Sequence, residues 1–330
     1  MSNDDPTGPD DIGVVEIAGA AARFARGLVR PRPVDRRLLA SIEDRGLPAG
    51  DVTVTVRALP QVVRRVPAVG VVEGAGLGLL PNAMTTYVVE HPDATFLVDP
   101  GYCRDAPSRA IAELPWLARL LVTPPADTIS SADGLLAHPP TRPPDFALPT
   151  HAHWDHVCGL LDLPDLPVRL RTTERQWALD GAHAPAGGVR SSLSDGRPII
   201  DYDLDGPPVA TFTASHDLFG DGSVIVVDLA GHTPGSVGVL ARTTTRWVLL
   251  AGDAAWHTEQ VQRVRQKPAI PGEFADEDRD AAFATLHRLH LARHRVHVVP
   301  THDADASGHL CDGRFSQTRS VDDFRYGGLE

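Results

Sequence analysis

No CxxC pair occurs in the chain, and its three cysteines, Cys103, Cys158 and Cys311, stand far apart. An odd, scattered set cannot pair completely, which excludes a disulfide framework and makes a reducing, cytoplasmic setting the expectation. No apolar run reaches the roughly 18 residues that a membrane helix needs. The opening MSNDDPTGPDD is acidic and lacks the basic and apolar regions of a secretory signal. Basic charge is scarce as well: 31 Lys+Arg stand against 43 Asp+Glu, a net charge of −12. General nucleic-acid binding is therefore not expected, because it needs a cationic surface to displace counterions. No close sequence repeat is present. What remains is a globular composition, 42% apolar and 22% charged over 330 residues, enough for a sizeable core in one large domain or two ordinary ones.

Residues 1–12 have the composition of a disordered tail. Val14, Ile17, Ala18, Ala21, Phe24, Ala25 and Leu28 recur at helical spacing, and PRP at 31–33 ends that helix. A second short helix is expected up to Gly46. The arginines of this pair (Arg23, Arg26, Arg30, Arg36, Arg37) suit a solvated face. From residue 51 the period changes to strand alternation. Strands are expected at DVTVTVRAL, MTTYVVEH and ATFLVDPG, with HPDA closing a hairpin, and again at FALPT. Later strands are expected at PIIDYDL, VATFTA, SVIVVDLA, SVGVLAR, RWVLLAG and HRVHVVP, with helices at RDAPSRAIAELPWLARLLV, around SSADGLLAH, at TTERQWALDGA and over 275–293. Two sheets covered by helices satisfy this order. The expected division is a tail and helical extension at 1–50, a catalytic unit at 51–305 and a C-terminal tail at 306–330.

PTHAHWDHVCG, residues 149–159, follows a short strand and crowds three histidines and an aspartate into six positions. His151 and His153 are two apart on extended chain and point the same way. Asp155 and His156 come next, where a turn or helix begins. A divalent zinc takes about four ligands, so the cluster is incomplete alone. Three further ligand-type residues each follow an apolar run directly: His232 in VIVVDLAGHTPGS, Asp253 in RWVLLAGDAAW and His302 in HVVPTHDA. The seven divide into His151, His153 and His232 for one metal and Asp155, His156 and His302 for a second, with Asp253 between the two.

The ordered set HxHxDH, GHTPGS, GD and a late TH resembles the metallo-β-lactamase-fold hydrolases over roughly residues 50–305. That resemblance implies an α+β fold, an αββα sandwich of two mixed β-sheets flanked by helices, with metals where two half-domains meet. A bridging aspartate at Asp253 is similar to the lactonase-like and glyoxalase-II-like branches and to a nuclease branch, and it disfavours β-lactam hydrolysis. The acidic charge disfavours the nuclease branch. Lactonase-like members carry a tyrosine three residues after that aspartate, where this chain has Trp256. The implied enzyme is a dinuclear zinc hydrolase, with iron or manganese as other metals its ligands would accept. A hydroxide shared by the metals would attack a small ester, lactone or thioester, with Asp155 orienting it or shuttling a proton. The alternative within the same fold is a persulfide dioxygenase with a single iron.

Trp154 and Trp256 are candidate pocket residues, with core packing the competing role. Cys158 is expected to be a small buried residue, since the ligand set is already full. His287, His290 and His294 share a helical face without a carboxylate or cysteine, and a packed or solvated face is expected. The proline-rich stretch 124–145 and the N-terminal helices are candidates for shaping a small-molecule pocket or a homodimer contact.

Overall fold

The structure is a computed structural model that describes residues 14–181, 184–194, 196–270 and 275–311. Eleven strands among these residues form two sheets. The first sheet contains β1 (Thr55–Pro67), β2 (Leu79–Glu90), β3 (Thr95–Val98), β4 (Phe146–Leu148), β5 (Val168–Arg171) and β6 (Ile199–Tyr202), in that spatial order. The second contains β7 (Ser215–Asp217), β8 (Val224–Asp228), β9 (Val237–Arg242), β10 (Trp247–Leu250) and β11 (His297–Val299), ordered β11-β10-β9-β8-β7. Both are mixed. β1–β2–β3 run antiparallel and β3–β4–β5–β6 parallel, while in the second sheet only β10 and β11 are parallel. The expected hairpin is present, with Glu90 opposite Thr95.

Strand periodicity builds the layers. Phe96, Val98, Phe146 and Leu148 of the first sheet share a core with Val224, Val226, Val239, Ala241, Val248 and Leu250 of the second. The alternate residues face the other way. Leu97, Ala147, Val168 and Leu170 pack under helices on one side, and Ile225, Val227, Leu240 and Leu249 pack with Phe283, Leu286 and Leu289 on the other. Strands buried on both faces read as continuous apolar runs such as VIVV and WVLL. The result is an αββα sandwich.

Helix boundaries follow local chemistry. The last long helix runs Arg279–Ala292, not from 275, because the Asp278 side chain accepts from Asp280 N and Ala281 N and caps it there. Ser130 caps Ser131–Ala137 in the same way. TTERQWALDGA begins as a helix at Thr172–Arg175 and widens into a π turn at Gln176–Asp180. VATFTA is not a strand. Ala210 adopts a positive φ of 47°, and its N–H and C=O pair with Gly46 and Arg45 instead.

The N-terminal helices Val14–Val29 and Arg36–Ser41 lie against this sandwich. Asp35 N donates to Nε2 of buried His287, while His290 is half-buried and His294 exposed, so the histidine face is part packed and part solvated. No described helix is long and apolar enough to cross a membrane. Most of the expected tails, residues 1–13 and 312–330, lies outside the described residues. The helix Ala304–Gly308 crosses the expected boundary at 305.

Candidate metal centre

Five of the seven candidate ligands sit just beyond the C-terminal end of a strand, and Asp155 and His156 lie on the short helix Trp154–Val157 that follows His153. β4 leads to His151 and His153, β8 to His232, β10 to Asp253 and β11 to His302. The first sheet thus contributes the 151–156 segment and the second sheet the other three. Gly252 makes the approach of these loops feasible: its φ is +51°, and a Cβ there would lie 2.3 Å from Thr150 Oγ1.

Three imidazole nitrogens meet at one point. His151 Nε2 and His153 Nδ1 are 3.0 Å apart, His153 Nδ1 and His232 Nε2 2.9 Å, and His232 Nε2 and His151 Nε2 3.1 Å. Each ring nitrogen has one in-plane site, either a proton or a lone pair. Three cannot satisfy one another around a triangle, whereas lone pairs turned toward one cation can. Tetrahedral zinc with nitrogens at its usual distance separates neighbouring ligands by about 3.3 Å, close to the observed spacing.

Asp155, His156 and His302 form a second group. His302 Nε2 lies 3.5 Å from Asp155 Oδ2, and His156 Nε2 lies 3.9 Å from it. Asp253 stands between the groups. Its Oδ2 is 3.6 Å from His232 Nε2 and 3.3 Å from His302 Nε2, and its Oδ1 is 3.2 Å from His156 Nε2. Asp253 Oδ1 and both His156 nitrogens are buried without a well-directed hydrogen bond. Orphaned donors and acceptors are costly inside a protein, and a cation relieves that cost. His151, His156, His232 and Asp253 are buried, while His153, Asp155 and His302 are half-buried and form the open side.

The electrostatics divide the histidines. Burial and the neighbouring imidazoles hold His151 and His153 well below the ordinary histidine value. Burial, reinforced by the Lys267 ammonium, lowers His232. Burial also opposes charge on His156, but Asp99, Asp253 and Asp155 outweigh it and hold that ring well above the ordinary value. Asp253 and Asp155 likewise overcome burial at His302 and raise it. Asp253 is held well below the carboxylate range by His302 and His156, against its burial.

Further residues contact the candidate ligands and the segments that carry them. Asp99, with a positive φ of 52°, accepts from Thr150 N, Thr150 Oγ1 and Thr301 Oγ1, and its Oδ2 lies 2.9 Å from His156 Nδ1. Glu174 accepts from Ala152 N at 2.7 Å, Thr233 Oγ1 at 2.7 Å and Gly235 N at 3.0 Å, tying the His151 loop to the His232 loop. Lys267, buried, donates to Asp276 Oδ1 at 2.8 Å and Ala275 O at 2.9 Å. The same Ala275 O lies 2.7 Å from His232 Nδ1, so that ring can present Nε2 to an ion. Sequence reasoning passed over these three. Asp99 follows an apolar strand in FLVDPG, the pattern that marked Asp253, and Lys267 is the chain's single lysine.

Trp154 packs in the core, stacked on Tyr102 with ring centroids 5.5 Å apart. Trp256 is half-buried beside Asp253. Cys158 is buried and its thiol donates to Gly101 O.

Two packed sheets, helices outside, and a histidine–aspartate cluster where the sheets meet define a metal-dependent hydrolase architecture. The family model for the Metallo-beta-lactamase superfamily matches residues 81–302, and the chain belongs to that superfamily. A probable metallo-hydrolase of Mycobacterium tuberculosis is 27% identical over 258 residues, covering 72% of this chain and 78% of the relative. An N-acyl homoserine lactonase, AttM, of Rhizobium radiobacter is 24% identical over 168 residues, covering 49% of this chain and 59% of the relative. Among solved structures, an N-acyl homoserine lactone hydrolase with N-hexanoyl-L-homoserine bound at its catalytic metal centre has the same fold. It superposes with a TM-score of 0.58 at 17% identity, covering 82% of this chain and 98% of that one.

Proposed function

We propose that this hydrolase holds two divalent cations, zinc in the simplest case, and cleaves a small ester, lactone or thioester. The observation that carries this is the position of Asp253, whose two oxygens lie within 3.6 Å of histidines from both groups. His151, His153 and His232 would hold one ion and Asp155, His156 and His302 the other, with Asp253 shared. The chemistry such ions supply when bound is Lewis acidity toward a carbonyl oxygen and ionisation of water near neutral pH.

The chain's own residues set the rest. His153, Asp155 and His302 form the half-buried rim, so a substrate carbonyl would be presented there. Asp155 sits on that rim beside His302 and is the group placed to carry a proton to a leaving oxygen. The net charge of −12 favours a small neutral or acyl substrate over a nucleic acid. The catalytic unit is taken as residues 51–305. All three cysteines are free thiols, in keeping with a reducing, cytoplasmic compartment.

The test is metal analysis of the purified chain with a panel of lactones, thioesters, phosphodiesters and β-lactams. Two zinc ions per chain with lactone or thioester turnover is the expected result. One iron per chain, oxygen uptake with a persulfide and no hydrolysis would replace this function with a dioxygenase.

A further inference from the structure

Three residues after Asp253, the indole of Trp256 makes two contacts of different kinds. Its edge donates: Nε1–H reaches Asp253 Oδ2 at 2.7 Å. Its face covers the Lys267 ammonium, which lies 5.0 Å from the ring centroid. The backbone beneath it is fixed, because Trp256 N donates to Gln260 Oε1 at 2.7 Å and His257 N to the same oxygen at 3.2 Å. Gln260 is itself buried. Lys267 in turn holds Asp276 and Ala275 O, the carbonyl that faces His232 Nδ1.

We propose that Trp256 is a positioning residue for the metal centre, fixing the Asp253 carboxylate through its N–H and coupling that carboxylate to the His232 loop through Lys267. The inference rests on the metal-binding function proposed above. A carboxylate turns easily about its terminal torsion. One directed hydrogen bond onto a charged acceptor removes that freedom and is stronger than a bond between neutral groups. The same bond occupies the only donor an indole has, so the N–H is not offered to a substrate carbonyl.

Trp256→Phe removes the donor and keeps an aromatic ring. Replacing Trp256 with 3-benzothienylalanine puts sulfur where the N–H was and keeps the bicyclic shape. Zinc affinity is read by chelator competition, and fold by circular dichroism and thermal unfolding. Both variants are expected to hold zinc at least about tenfold more weakly than wild type, the usual scale for losing a ligand's outer partner. KM at saturating zinc stays unchanged. Wild-type affinity in the benzothienyl protein overturns the inference, as does a raised KM with unchanged affinity, which would make Trp256 a substrate contact. If the phenylalanine variant fails to fold, the benzothienyl protein decides. A wild-type chain that binds no divalent ion overturns the proposed function and this inference with it. Normal wild-type binding with unaltered variants overturns this inference alone.

Discussion

Asp99 Oδ2 lies 2.9 Å from His156 Nδ1, with both side chains completely buried. The same oxygen accepts from the hydroxyls of Thr150 and Thr301, which immediately precede His151 and His302. One carboxylate at the end of β3 thus faces one candidate ligand, His156, and braces the residues preceding two others, on the 151–156 and 302 segments.

Asp99→Asn should separate these duties. Asparagine tolerates the positive φ, and its amide can still serve the threonines. It withdraws the charge facing His156. Metal affinity is expected to fall by about 10–100-fold, with little loss of fold. Asp99→Ala should also destabilise the chain, by about 1–3 kcal/mol for each buried donor left unpartnered. Chelator competition and urea unfolding measure the two effects, and an Asp99→Asn protein with wild-type affinity would remove Asp99 from the ligand support.

Lys267 and Asp276 are both buried, with Nζ and Oδ1 2.8 Å apart. Lys267→Met strands a carboxylate in the interior and should cost about 3–5 kcal/mol in urea unfolding. Adding Asp276→Asn should recover part of that loss. If the double variant is as unstable as the sum of the single variants, the two charges do not act as a pair.

Burial pushes the Glu174 carboxyl up to about 7 from an ordinary 4.5, against the three donors that face it. Between these values the folded chain binds more protons than the unfolded one, so this group makes stability fall as pH rises through that window. Glu174→Gln should flatten that component. It should also cost about 1–3 kcal/mol, because an amide NH2 must face a backbone N–H. Unfolding free energies of both proteins at about pH 5 and about pH 8 test this; identical pH slopes would contradict it.

His156 and His302 are both raised above ordinary histidine in the metal-free chain. Their protonation therefore stabilises the metal-free fold at acid pH, and that contribution is lost as pH rises through the raised values. A metal needs them neutral, so loading should release protons near neutral pH, and affinity should drop on acidification. Titration calorimetry in buffers of different ionisation enthalpy measures the release; equal heats in every buffer would mean no protons leave.

The sandwich was legible in the sequence because both faces of its strands are buried and their apolar runs are bounded by Gly, Pro and Asp. The candidate ligands were legible because each segment that carries them follows such a run. VATFTA misled because alternation alone does not reveal that Ala210 turns back to pair with Gly46. The helix start at Arg279 was missed because Asp278 is one of several acidic residues there, and only geometry selects the cap. Asp99 meets Thr301 across 202 residues of chain, Glu174 meets Thr233 across 59 and Lys267 meets His232 across 35, relations no local pattern carries.

The candidate ligand set is divided between the sheets: His151 to His156 follow β4, and His232, Asp253 and His302 follow β8, β10 and β11. Neither half holds a complete set. Ions lodged in the seam would act as rivets, since the halves cannot part without ejecting them. Resistance to heat should then climb with the logarithm of free zinc, by about 2.7 kcal/mol at a hundredfold excess over Kd. Chelation should then lower the unfolding temperature as well as the activity.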